Sequence, residues 1–111
     1  VASIETYRDI IQTLLSDYAV IPVSNGEIDC YTVFDEKQDH YQVMNVGWDG
    51  HRRVHGCVLH LAIKGGKIWI EQNMTEIGIA QALIERGVGK AEIVLGFQAP
   101  EIRPYTEYAS V

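Results

Sequence analysis

The chain has 111 residues, nine Lys and Arg against fifteen Asp and Glu, a formal charge of −6, and 47% hydrophobic residues. That length means one domain over residues 1–111, that apolar share excludes a disordered chain, and two cysteines exclude a disulfide-built mini-protein. The acidic balance disfavours DNA binding by the chain as a whole, because such affinity comes largely from Lys and Arg neutralising phosphates.

The first segment reads as a helix. Ile4, Tyr7, Ile10, Ile11, Leu14, Leu15 and Tyr18 recur at three- and four-residue spacing, with Ser3 as N-cap and Pro22 beyond the end. Ser24-Asn25-Gly26 is turn chemistry. The opening residues lack the basic flank and apolar core of a signal peptide. No apolar run approaches the roughly 20 residues that cross a bilayer. The expectation is a cytoplasmic chain, off the membrane, with Cys30 and Cys57 as reduced thiols.

Residues 28 to 72 are strand-like. Ile28–Phe34, Tyr41–Trp48, Val54–Ile63 and Lys67–Gln72 are rich in β-branched and aromatic residues and are separated by Glu36–Asp39, Asp49-Gly50 and Gly65-Gly66. This predicts a four-stranded antiparallel meander. A second helix is expected from Met74 to Arg86, capped by Asn73 with Glu76 three residues on, and ended by Gly87. Lys90-Ala91-Glu92 suits a short helical turn before Ile93-Val94-Leu95, and a short extended C-terminal segment follows. The fold class is α+β.

Tight turns fix register. A Gly65-Gly66 loop sets Ala62 opposite Trp69, Leu61 opposite Ile70 and His60 opposite Glu71; an Asp49-Gly50 loop sets Met44 opposite His55 and Val43 opposite Gly56. One face then carries Met44, Val46, Cys57, Leu59, Leu61, Ile63, Ile68 and Ile70, and the other Tyr41, Val43, Val54, Val58, Ala62 and Trp69. A sheet apolar on both faces needs cover on both. The helices cover one face. Either the C-terminal segment or a second copy of the chain is expected against the other; the second copy is favoured, with Tyr41, Val43, Val58 and Trp69 at the homo-oligomer interface.

Charge is unevenly placed: −5 over residues 1–35, +2 over 36–70 and −3 over 71–111. The bases of the middle third sit at hairpin tips, where Arg52, Arg53, Lys64 and Lys67 are candidates for a partner or nucleic-acid contact. The other chemistry is sparse. His55 and Cys57 are two positions apart on one strand, close enough to share an ion, but His51 is too far along and no CxxC or HxxxH pattern adds ligands. Cys57 sits mid-strand, where a thiol acts as a small hydrophobe. His60 and Glu71 form at most an acid–base pair of the kind a small hydrolase uses. Gly87-Val88-Gly89-Lys90 follows a helix instead of opening one, so it ends a helix and cradles no phosphate. The expectation is a protein that is not an enzyme, with no metal and no cofactor.

Several longer stretches are distinctive: Asp39-His40-Tyr41-Gln42-Val43-Met44-Asn45-Val46-Gly47-Trp48-Asp49-Gly50, Arg53-Val54-His55-Gly56-Cys57-Val58-Leu59-His60-Leu61, and Gly66-Lys67-Ile68-Trp69-Ile70-Glu71. With Thr75-Glu76-Ile77-Gly78-Ile79-Ala80, Ile93-Val94-Leu95-Gly96-Phe97, Tyr7-Arg8-Asp9-Ile10-Ile11 and Arg103-Pro104-Tyr105-Thr106, they resemble the XisI-like family, the fdxN element excision controlling factors of cyanobacteria. The resemblance covers nearly the whole chain. It implies control of site-specific excision of a DNA element during heterocyst differentiation, beside a site-specific recombinase and an XisH-like companion factor. It carries over no catalytic residue. Two positions depart from the family pattern: Gly89 stands where Pro is expected, and Gln98 where His is expected. Two readings follow. One is a non-enzymatic control factor acting by protein contact. The other is an accessory subunit that touches DNA through its basic hairpin tips.

Overall fold

In the computed structural model, which describes residues 3–20 and 27–110, the first apolar stripe forms helix α1 (Ile4–Ala19). The Ser3 hydroxyl accepts from the Thr6 amide at 3.2 Å, satisfying one of the unpaired N–H groups of the first turn. Tyr7, Ile11, Leu14 and Leu15 are buried. The expected stop at Pro22 and turn at Ser24-Asn25-Gly26 lie outside the described residues.

Strands β1 (Glu27–Asp35), β2 (His40–Asp49), β3 (Arg52–Lys64) and β4 (Lys67–Asn73) form the predicted antiparallel meander. The sheet has a fifth member, however. β5 (Ile93–Leu95) pairs parallel to β4 after a crossover through helix α2 (Ile79–Glu85), so the sheet is five-stranded and mixed. Ile93 and Val94 are both fully buried, the sign of a short strand covered on both faces. Three such residues look the same in sequence as an extended tail.

Both hairpin turns hold to their chemistry, with one shift. Gly65 and Gly66 have φ of 58° and 76°, and Ala62 pairs with Trp69 and Leu61 with Ile70 as expected. The other loop is Gly50-His51, not Asp49-Gly50, because Asp49 pairs with Arg52. Gly50 has φ 62°, which puts glycine at the first central position of a two-residue turn, as type II′ prefers. Met44 therefore faces Cys57, two residues beyond the expected His55.

Two β-bulges decide the faces. On β3, Val58 has no partner between the pairs Val43–Leu59 and Met44–Cys57. On β4, Glu71 has none between His60–Gln72 and Leu61–Ile70. An extra residue on one strand shifts the alternation against its neighbour. Tyr41 and Val43 thus share a face with Leu59, Leu61, Ile63, Ile68 and Ile70, and all of these pack under α1 and α2. Tyr41 and Val43 are completely buried, which corrects their expected place at an oligomer interface. Met44, Val46 and Cys57 move to the opposite face for the same reason.

Helix α2 is shorter than predicted. Asn73 does not cap it: its side chain accepts from the Thr75 amide and hydroxyl and donates to the Ile77 carbonyl at 2.8 Å, stabilising a loop in place of the first helical turns. The helix starts after Gly78. Its end is as expected. Gly87 has φ 101°, its amide bonds the Ile84 carbonyl, and the Val88 amide bonds Leu83, the two bonds of a Schellman ending. The predicted turn at Lys90–Glu92 is a short 3-10 helix.

Leu61 is fully buried in this core, whereas Thr13 lies on the solvent side of α1. Leu61→Ala is expected to cost about 3 kcal/mol in urea unfolding, and Thr13→Ala less than about 0.5 kcal/mol.

Candidate functional site

The sheet presents one face to α1 and α2 and the other outward. On the outward side, the C-terminal segment crosses β4 at Trp69, and its last described residues pair along the edge of β5. Ala109 bridges Val94, its amide bonds the Ile93 carbonyl at 2.8 Å, and Arg103 stacks on Trp69 at 5.0 Å. Lys64 also sits against the Trp69 ring, at 4.8 Å. Arg103 in turn donates to the carbonyls of Gln98 and Gly96, at 3.0 and 3.2 Å. These bonds hold a segment on which Phe97, Ile102 and Tyr105 stand exposed. The part of the outward face over β1, β2 and β3 carries exposed Tyr31, Val33 and Trp48 beside half-buried Met44 and Val46.

The four candidate basic residues fall into two separate pairs. Arg52 and Arg53 open β3, while Lys64 closes it and Lys67 opens β4. Eleven strand positions separate Arg53 from Lys64, which is roughly 36 Å. Most of these cations are already engaged: Arg52 with Asp49 at 3.2 Å, Arg53 on the Trp48 ring at 5.2 Å, and Lys64 with Glu71. Of the candidate interface residues, Val58 and Trp69 are half-buried, while Tyr41 and Val43 are core.

The expected His60–Glu71 pair does not form, because the bulge at Glu71 sets His60 opposite Gln72. His60 instead shares a hydrogen bond with His40, Nε2 to Nδ1 at 3.0 Å. Burial, and then the neighbouring His40, push its pKa down. Such a pair needs one donor and one acceptor ring, so it is broken when both rings are protonated. His55 and Cys57 do lie on one face, and the Cys57 thiol donates to the Leu59 carbonyl at 3.1 Å. Burial raises its pKa, the opposite of what activates a thiol. Among the described residues, no three His, Cys, Asp or Glu side chains gather as a metal site. None of the described helices is long and apolar enough to cross a membrane. A shallow cleft of about 240 Å³ opens near the start of β3, lined by Arg52, Arg53, His55, Cys57 and Met74 among others.

The strongest polar cluster joins residues 31 positions apart. The Arg8 guanidinium grips both oxygens of Asp39, at 2.8 and 3.2 Å, and the Tyr41 hydroxyl donates to the same carboxylate at 2.8 Å. Glu5 also pairs with Arg8. Asp39 ends the β1–β2 turn with φ 56°, a left-handed conformation that Asp tolerates better than most residues. The Arg8 hydrogen bond holds the Asp39 carboxyl below its ordinary range. Burial, and then the Asp39 carboxylate, push the Tyr41 hydroxyl up to about 12. The cluster pins α1 to the sheet. One sequence signal marks it in retrospect: Arg8 is the single base in the first 35 residues.

A protein-family model described as XisI protein matches residues 1–110. A solved XisI-like protein from Anabaena variabilis superposes with a TM-score of 0.91 at 42% identity, over 96% of this chain and 98% of that one. A second structure from the same organism, the fdxN element excision controlling factor XisI, superposes at 0.82 and 33% identity, over 96% and 97%. No curated protein matches the chain.

The cluster sets two limits on stability. The lowered Asp39 pKa contributes stability that is present above about pH 4 and lost as pH falls through the folded value. The raised Tyr41 pKa contributes stability that is full below pH 10 and lost between about 10 and 12. Thermal melts across pH are expected to show both losses, with the acid loss reduced in Asp39→Asn and the alkaline loss reduced in Tyr41→Phe.

Proposed function

The chain belongs to the XisI family, and from that premise we propose that it is a control factor for site-specific DNA excision that works through contact with other proteins, without catalysis of its own. The partners are an XisH-like companion factor and a site-specific recombinase. The setting is the cyanobacterial cytoplasm during heterocyst differentiation. The observation that carries this reading is the C-terminal segment, where Arg103 holds the backbone while Phe97, Ile102 and Tyr105 stand 52, 46 and 88% exposed. Aromatic side chains on a braced backbone give contact area at little cost in ordering, which is what a binding surface needs. The relative named as an excision controlling factor supports the biological process.

The second reading is an accessory subunit that touches DNA through Arg52 and Arg53. Its support is their placement at a free hairpin tip, where the Arg52 side chain is 75% exposed. Lys64 and Lys67 lie too far away to widen that contact into one patch. The cross-strand His60–Glu71 pairing that a hydrolase reading started from does not form, since His60 faces Gln72.

Co-expression with an XisH-like companion is expected to yield a stable complex, and Phe97→Ala with Tyr105→Ala to lower its affinity at least tenfold while the melting curve stays unchanged. Absence of any complex would remove the protein-contact reading. A salt-dependent DNA shift, lost on Arg52→Ala with Arg53→Ala, would favour the second reading instead.

A further inference from the structure

We infer that two copies of this chain associate face to face through the outward side of β1, β2 and β3, about a two-fold axis that runs parallel to β2. The dimer stands apart from the excision reading, and either can fail alone.

The strand register lines up Glu27, Trp48 and Arg53 in one row, Asp29, Val46 and His55 in the next, and Tyr31, Met44 and Cys57 in the third. All of these point outward, because their neighbours Cys30, Tyr41 and Val43 pack inward. The centre of the patch is apolar, and its two long edges differ in charge. β1 contributes Glu27 and Asp29, while β3 contributes Arg53 and His55. The C-terminal segment lies beyond this patch, against Trp69 and along the edge of β5 at Val94, and among the described residues Tyr31, Val33 and Trp48 of the three strands stand exposed.

An isologous contact requires a surface that complements itself. Rotation about an axis along β2 exchanges β1 and β3. Glu27 then lies over Arg53 of the second copy, Asp29 over its His55, and Val46 and Met44 over their own counterparts. Opposite charges meet at both rims, and the apolar strand meets itself at the centre. Stacked sheets deviate from parallel by about 30°, which preserves these pairings near the axis. Growth of the sheet by joining two β1 edges is disfavoured by the same residues. An antiparallel register centred on Tyr31 sets Glu27 against Asp35, and one centred on Thr32 sets Asp29 against Asp35.

The test is sedimentation equilibrium of the full chain over a wide range of concentration. A reversible dimer is expected. Val46→Glu places like charges across the axis and is expected to weaken association at least tenfold. Glu27→Arg and Arg53→Glu, both on exposed residues, are each expected to weaken it, and the two changes together in one chain to restore it. A monomer at every concentration would overturn the inference. So would a dimer indifferent to Val46→Glu, or one that the double charge exchange fails to restore while circular dichroism shows each variant folded.

Discussion

One unpaired residue on β3 governs the layout of this molecule. Val58 has no partner on β2, and the slip it introduces sends Tyr41 and Val43 inward to join Leu59 and Leu61. Without the slip, β2 would present Met44 and Val46 to the helices and turn its buried tyrosine outward. The second bulge, at Glu71, frees that carboxylate to reach Lys64 and leaves His60 to pair with His40. Each bulge thus separates two functions of one strand: a stretch that builds the core and a stretch that presents a surface. Bulges bend and twist a strand as well as shifting it, which suits a sheet that must be covered by helices on one side and a C-terminal segment on the other.

The buried Tyr41 creates a requirement that Asp39 and Arg8 meet. A phenol in an apolar layer needs an acceptor for its hydroxyl, and the carboxylate that supplies it needs a counter-charge. Arg8 brings that charge from α1 with both carboxylate oxygens engaged. The pair is shielded, with side chains 17 and 23% exposed, so water competes less than it does for ion pairs such as Arg52–Asp49. The helix is therefore held in one position along the sheet by directional bonds, while the apolar contacts beneath it are non-directional.

Much of the fold was legible in the residues. The stripe from Tyr7 to Leu15, the paired glycines of the β3–β4 turn and the helix-ending Gly87 each act through their own chemistry within a few positions. What stayed hidden depends on distant partners. Val58 and Glu71 are ordinary strand residues, and nothing about either side chain marks a bulge. β5 becomes a strand because α2 returns the chain beside β4, and three apolar residues hold no record of that. Asn73 is a cap in the sequence pattern, but its loop bonds to Thr75 and Ile77 prevailed. At the candidate site, the basic tips and the strand between them were visible in the residues, but the partners that engage Arg52, Arg53 and Lys64 were not. The XisI resemblance identified the family, which residue chemistry alone does not reach.

The two tryptophans have an optical consequence. Trp48 lies exposed on the bare part of the sheet beside Arg53, and Trp69 lies half-buried beneath Arg103 and beside Lys64. The protein has no third indole to mix with their light. Emission from Trp48 follows whatever comes to rest on the open strands, and emission from Trp69 follows the lifting of the C-terminal segment. Replacing either ring with phenylalanine turns the remaining one into a reporter for a single event, so the two sides of the outward face are distinguishable by colour and intensity without any added label.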